Sequence, residues 1–421
     1  MSIILKNATF VDYKTFEFTK TNIKVGDSNN PKLEFLNDFE HFNTSDTIID
    51  CTDKYVTKSL ACGHHHAYSA LARGMGGPLK PVANFNENLK YLWWALDKSL
   101  DSESVEASAY ATAVACAKNG VTFVIDHHAS PFAVEGSLET IARAFDEVGV
   151  GHLLCYEISD RDGIDIAGKG LAETADYFSN RPGLVGLHAS FTVGNETLKK
   201  AVQLALHTNS GIHVHVAEDI TDEEHCVEQY HRRVIERLLD AGVLQFPKSI
   251  LAHCLHLDEH ERGLVGGSPA WVVQNMESNM NNSVGFFNSN GLGQRIMLGT
   301  DGMHSDMLRS AKAAFFAGHN YDSIDYAGTY RRFRNVHRYL ESNRFSGDGE
   351  NNLVVLDYDS PTPLTSANFH GHFLFGIESR HVVHVIAQGR LILENGNLLS
   401  VDEKAINKES LIQAKRLWAL L

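Results

Sequence analysis

Histidine stands out in this chain, with 23 in 421 residues and several side by side in short apolar runs. The densest run is Gly63-His64-His65-His66-Ala67. In an extended chain successive side chains alternate faces, so His64 and His66 point together while His65 points away. A second pair sits in Gly211-Ile212-His213-Val214-His215-Val216-Ala217-Glu218, and a third in Ala252-His253-Cys254-Leu255-His256. A carboxylate, Asp301, follows Leu298-Gly299-Thr300. Two His from one strand, one from another and a carboxylate from a third make a mixed nitrogen and oxygen set for Zn2+ or Fe2+, with room for water. Taken singly, each has an ordinary reading: a His bonded to backbone, a solvated His loop, an Asp in a turn. Their common position at the ends of apolar runs favours a metal.

Those runs must position the ligands. Strand-like stretches recur at residues 60–63, 121–126, 152–158, 184–189, 212–217, 250–254, 271–275 and 296–301, each followed by a helical stretch. Asp101 or Ser102 opens a long helix over 105–118, and Asn195 caps one over 196–206. Thr221-Asp222-Glu223-Glu224 reads as a capping box for a helix that stops at Ala241-Gly242. Apolar strands alternating with helices are parallel strands covered on both faces. Eight units over about 240 residues predict an α/β fold, a closed (β/α)8 TIM barrel with its site at the carboxyl ends of the strands.

The chain ends differ. Residues 2–5, 16–25 and 47–50 at one end, and 353–358 and 382–398 at the other, read as strands, with hairpin turns at Gln388-Gly389 and Asn395-Gly396. Chain termini often lie close together, so both ends are read as one small β-sandwich. The predicted organisation is sandwich over 1–57 and 351–402, barrel over 58–350, and a C-terminal helix over 403–421 packing on the barrel. Residues 347–352 read as the linker.

Composition narrows the partners. A net charge of −15, from 37 basic and 52 acidic residues, repels a phosphate backbone, so no nucleic acid polymer is expected. No run of about 18 apolar residues exists to span a membrane. The N-terminus does not read as a secretory signal. The six cysteines are scattered without a C-x-x-C pair, which reads as free thiols in the cytoplasm. There is no G-x-S-x-G, Walker loop or H-E-x-x-H helix, no G-x-G-x-x-G after a strand, and no P-C-x-x-C signature.

The strings CGHHHAYSALARGM, YLWWALDKSLD, GVTFVIDHHASPFAVEGSL, CYEISDRDG, GLHASFTV, IHVHVAED, LAHCLHL, SNMNNSVG, LGTDGMHSDM and DSPTPL resemble the amidohydrolase superfamily. The similar branch holds guanine, 8-oxoguanine and cytosine deaminases and chlorohydrolases, and within it the SsnA-like aminohydrolases. The resemblance implies one divalent metal, zinc first and iron second, on His64, His66, His215 and Asp301. Such a metal lowers the pKa of its water from 15.7 to roughly 7. Asp301 and His253 would take and orient the proton, and Glu218 would pass one to a ring nitrogen, a step worth about 10²–10⁴-fold. Two-metal members place a carboxylated lysine on the fourth strand, whereas residues 183–189 hold none, so a single metal is implied.

His188 would contact substrate, and Tyr68, Arg73, Trp93, Trp94, His127 and His128 are candidates for the pocket wall, with one of the last two structural. The implied reaction is hydrolytic deamination of a purine, pyrimidine or related heterocycle by a homodimer. The rivals are hydrolysis of a cyclic amide or chloro substituent, and a catalytically idle metal-holding subunit. Two departures from the family pattern stand out. Lys58-Ser59 replaces Pro-Gly before the first metal strand, and Gln274-Asn275-Met276 replaces H-N-P, which implies an altered residue near the pocket.

Overall fold

The computed structural model describes residues 2–36, 45–78 and 80–421; Met1 and residues 37–44 of the expected 1–57 segment lie outside the described residues. Eight strands run in sequential order, each parallel to its neighbour: β1 (Leu60–His65), β2 (Val121–His128), β3 (Gly151–Ile158), β4 (Val185–Ala189), β5 (Ile212–Val216), β6 (Ile250–His253), β7 (Trp271–Gln274) and β8 (Ile296–Leu298). Their residues are buried almost throughout, as unbroken apolar strands between a filled barrel and a helical coat must be.

The barrel closes where chemistry was expected. His65 and Asp301 form a parallel bridge between the ends of β1 and β8. The amides of Thr300 and Asp301 both donate to His64 O, at 3.0 and 3.1 Å. Glycine permits this approach: a Cβ on Gly63 would lie 2.9 Å from Leu298 O, and one on Gly299 would meet His64 Cβ at 2.9 Å. Beneath the site, Phe123, Ile125, Leu153, Trp271 and Met297 pack with Val336, Tyr339 and Leu340 of the helix Tyr326–Ser342. That helix plugs the barrel's lower mouth, and Tyr339 Oη donates to Lys248 O at 2.8 Å.

Both chain ends meet in one mixed sheet of nine strands. The seam is Tyr55–Lys58, parallel to Ile3–Val11 on one side and antiparallel to Leu353–Leu356 on the other. Lys58 explains the first departure from the family pattern. Its buried Nζ lies 2.6 Å from Asp348 Oδ1, and Asp348 Oδ2 lies 2.7 Å from His337 Nδ1. Arg334 Nη1 donates to Ser59 O at 2.6 Å. The stretch read as a linker is thus tied by charge to the strand entering the barrel.

Asp101 caps the helix Ser102–Lys118, accepting from Ser104 N at 2.9 Å. Two other caps differ from expectation. Asn195 is the first residue of Asn195–His207, not its cap, and its Oδ1 accepts from Arg237 Nη2 at 3.0 Å. The capping box at 221–224 does not form. Asp219 caps Ile220–Tyr230 by accepting from Thr221 N at 3.0 Å, which puts Thr221 inside the helix, and Asp222 accepts from Ala217 N (3.0 Å) and Phe191 N (2.9 Å). That helix stops at His231, where φ is 53°, and Val234–Asp240 forms a separate one. The C-terminal helix Glu403–Trp418 lies along Ser102–Lys118, with Lys118 Nζ 2.7 Å from Glu403. Trp418 Nε1 donates to Leu71 O at 2.8 Å, bracing the turn after β1.

Candidate active site

Four side chains from three strand ends converge at the barrel mouth. His66 Nε2 lies 3.0 Å from Asp301 Oδ1 and 3.2 Å from His215 Nε2. His64 Nε2 lies 3.7 Å from Asp301 Oδ1. The opposite nitrogen of each imidazole is held: His64 Nδ1 by His213 Nε2 at 2.9 Å, His66 Nδ1 by His127 O at 2.6 Å, and His215 Nδ1 by His188 O at 2.9 Å. Such partners fix the ring and aim the free nitrogen inward. Asp301 sits at φ 53° and His253 at φ 72°, a left-handed backbone that non-glycine residues adopt at a cost and that clusters at functional sites.

The donor set fits a divalent cation. A tetrahedral ion with 2.0–2.1 Å bonds separates its ligand atoms by about 3.3 Å, and the His66–Asp301, His66–His215 and His64–Asp301 separations of 3.0, 3.2 and 3.7 Å bracket that value. His64 Nε2 is buried and has no hydrogen-bond partner among the described residues. Burial pushes His64 down to about 3, leaving it neutral, the form that ligates. Burial opposes charge on His66 too, yet the Asp301 carboxylate raises it to about 9.

Beside the cluster, His253 Nε2 stands 3.7 Å from Asp301 Oδ2 and 3.6 Å from Glu218 Oε2. The Asn279 side-chain amide holds His253 Nδ1 at 2.8 Å. Burial lowers His253 to about 4. Burial, and then Asp301, raises Glu218 to about 8, the direction a proton donor needs. Asn282 Nδ2 donates to Glu218 Oε1 at 3.3 Å and orients it.

A cleft of ≈ 620 Å³, counted with its open mouth, lies above these groups. His66, His215, Glu218 and Asp301 line it, with His188, Tyr68, Trp93 and Trp94 around them. Trp93 and Trp94 belong to a continuous helical stretch over 85–98 that includes a π-helical turn, Leu89–Trp93. Such turns are frequent at functional sites.

Two wall candidates fall elsewhere. Arg73 is exposed and does not line the cleft, because the chain leaves the barrel mouth after the turn Ala67–Ala72. His128 is buried behind Tyr68 and bonded to Ser130 Oγ at 2.8 Å. Side chains alternate along β2, so His127 takes the inward place, its ring 4.7 Å from that of His215, and His128 turns outward. Gln274 does not line the cleft either; its Oε1 accepts from Arg332 Nη1 at 2.8 Å.

The reading of the residues passed over Asp97, Glu157 and Arg161, which line the cleft, and His213 and Asn279, which brace the cluster. Burial raises Asp97 to about 7, and Arg161 opposes the rise. Glu157 is held well below the carboxylate range against burial by His188, His127 and Arg161. The three cleft residues lie within the strings YLWWALDKSLD and CYEISDRDG, so the signal was present without a role attached.

Residues 55–338 match the amidohydrolase family. The chain belongs to the amidohydrolase family. Among curated relatives, the amidohydrolase is 24% identical to a 5-methylthioadenosine/S-adenosylhomocysteine deaminase of Thermoanaerobacter pseudethanolicus, over 96% of this chain and 97% of that one. It is 26% identical to a 5'-deoxyadenosine deaminase of Methanopyrus kandleri, over 84% of each. In fold it is similar to an adenosine deaminase from Xanthomonas campestris with bound zinc, with a TM-score of 0.83, 18% identity, and 99% and 98% of the two chains covered. It is likewise similar to atrazine chlorohydrolase TrzN from Arthrobacter aurescens complexed with zinc, at 0.80 and 14%, covering 98% and 100%.

Proposed function

We propose that this amidohydrolase deaminates an amino-substituted heterocycle by hydrolysis, with one zinc ion on His64, His66, His215 and Asp301. The observation that carries the reading is the meeting of His66 with His215 and of His64 and His66 with Asp301, beside the Glu218 carboxyl, under an aromatic cleft. The deaminases among its relatives and the zinc in its structural neighbours support it. Bound there, the metal would supply an acidified water, and so hydroxide at neutral pH.

The chain's own residues do the rest. Asp301 Oδ2 and His253 hold the proton of the attacking oxygen on the side away from the ring. Glu218 hands its proton to the ring nitrogen beside the carbon under attack, so that carbon becomes tetrahedral without charge building on the ring. Reprotonation of the amine through the same groups lets the C–N bond break: one water is consumed, one C–O bond forms and ammonia leaves. Trp93 and Trp94 hold the ring plane, and His188 faces its edge.

Unpaired cysteines throughout the described residues support a reducing cytoplasmic setting. The exposed aromatic side chains Phe316, Tyr326 and Phe375 support a homodimer.

The test is ammonia release and product mass across amino-purines and amino-pyrimidines, for wild type and Glu218→Gln. Turnover with NH2 replaced by OH, and a loss of about 10²–10⁴-fold in the variant at unchanged zinc content, is the expected result. Full activity in the variant refutes the proton shuttle. A product heavier by one water points to cyclic-amide hydrolysis, loss of chloride to the chlorohydrolase reaction, and stoichiometric metal without turnover to an idle subunit.

A further inference from the structure

Asp222 is a buried carboxyl that takes no part in the chemistry at the histidine cluster and does not line the main cleft. Its Oδ2 accepts from Ala217 N at 3.0 Å, and its Oδ1 accepts from Phe191 N at 2.9 Å. One side chain, from the first turn of the helix Ile220–Tyr230, thus ties the segment after β5 to the segment after β4. The first of these segments carries Glu218.

Ala217 is where the tie matters. Side chains alternate faces along an extended strand. His213 and His215 point into the barrel, so continued alternation would send Glu218 to the opposite face with Val214 and Val216. Instead Ala217 takes φ 44°, a left-handed backbone that a residue with a Cβ adopts only where its surroundings enforce it. That turn breaks the alternation and brings Glu218 into the cleft, where Asn282 Nδ2 donates to its Oε1 at 3.3 Å. Ala217 is clamped from both sides. Its carbonyl accepts from the amides of Leu255 and His256, beyond β6, at 3.2 and 3.1 Å. Its amide is held by Asp222, which is itself anchored on Phe191 N at a different strand end. Removing the carboxylate leaves a buried amide without its acceptor and frees the residue that aims Glu218.

We propose that Asp222 is a positioning residue: through Ala217 N it holds the left-handed turn that delivers the Glu218 carboxyl to the reacting ring. Asp222 touches no reacting atom and acts only through the backbone. Its effect on turnover rests on the deaminase reading, whereas its effect on the placement of Glu218 does not.

The test measures kcat and KM of the zinc-loaded full chain for Asp222→Ala, Glu218→Gln and the double variant, with melting as the check on folding. Asp222→Asn, which keeps the volume, replaces Asp222→Ala if that variant does not fold. Displacing a catalytic group by 1 Å costs about 100-fold, so the Asp222 variant should lose about that factor in kcat with KM changed by less than about threefold. In the Glu218→Gln background the same substitution should cost less than about threefold, because residues acting as a unit are not additive. Equal losses in both backgrounds, a loss carried by KM alone, or failure of both Asp222 variants to melt cooperatively overturns the inference and leaves deamination standing. A crystal structure of the folded variant reads the geometry without turnover. Ala217 should leave the left-handed region and Glu218 its contact with Asn282; unchanged placement overturns the inference. If the wild type releases no ammonia from any ring, deamination falls instead, and that crystal structure alone decides the role of Asp222.

Discussion

Each imidazole of the proposed metal set is gripped by its other nitrogen, and His64 differs in being gripped by a second histidine. The His64–His213 contact of 2.9 Å is buried on both sides, so His213 sets the ring plane of a proposed ligand without joining the set. Loss of such a partner weakens metal binding by about 10–100-fold. His213→Phe should therefore lower zinc affinity by that factor in a chelator competition titration and leave the melting profile of the zinc-loaded protein cooperative; unchanged affinity would show that His64 needs no brace. The H-x-H spacing at 213 and 215 showed that two histidines share a face, and alternation alone does not say which one reaches the mouth. Depth decides it. His213 sits lower on β5, level with Cys155, 3.6 Å from its Nδ1. His128 is a matter of face instead, since alternation along β2 turns it outward and His127 inward.

Strands and helices were legible to different degrees. All eight barrel strands appear near the predicted positions, because unbroken apolar runs have no other stable place than between a core and a helical coat. Helix starts were read less well, since an Asp or Asn near a helix end accepts from whichever donor the fold brings close, the Ala217 amide for Asp222 and the Arg237 guanidinium for Asn195. The closure between β1 and β8 is not written in periodicity at all; it depends on two glycines. Gly63→Ala would set a methyl 2.9 Å from Leu298 O. Overpacking of this kind costs typically about 1–3 kcal/mol, and here it forces apart the strands that carry His64, His66 and Asp301. The variant should melt earlier and also bind zinc more weakly. Ordinary zinc affinity at a lowered melting temperature would separate closure from the metal site.

At the scale of the molecule, the meeting of both chain ends in one layer was legible from strand-like runs at each end, but what fastens them was not. The fastening is the buried Lys58–Asp348–His337 network, joining residues 290 positions apart in sequence. Burial would raise the Asp348 carboxyl, yet His337 and Lys58 outweigh it and hold it at about 2. A depressed carboxyl stabilises the fold above its unfolded value of about 3.9 and loses that contribution as pH falls through the folded value. Asp348→Asn should thus cost about 3–5 kcal/mol near neutral pH. The gap to wild type in denaturant melts should narrow as pH falls from about 4 toward about 2; a gap independent of pH would assign the loss to packing alone. On the other face of the barrel, three imidazoles and a carboxylate meet. The most direct test of a zinc centre there is to strip the protein of metal and add zinc back while following ammonia release from the best substrate. The account predicts no release from the stripped protein and a linear rise that levels off at about one zinc per chain. Undiminished release before zinc is added, or a rise that continues to two equivalents, would contradict it.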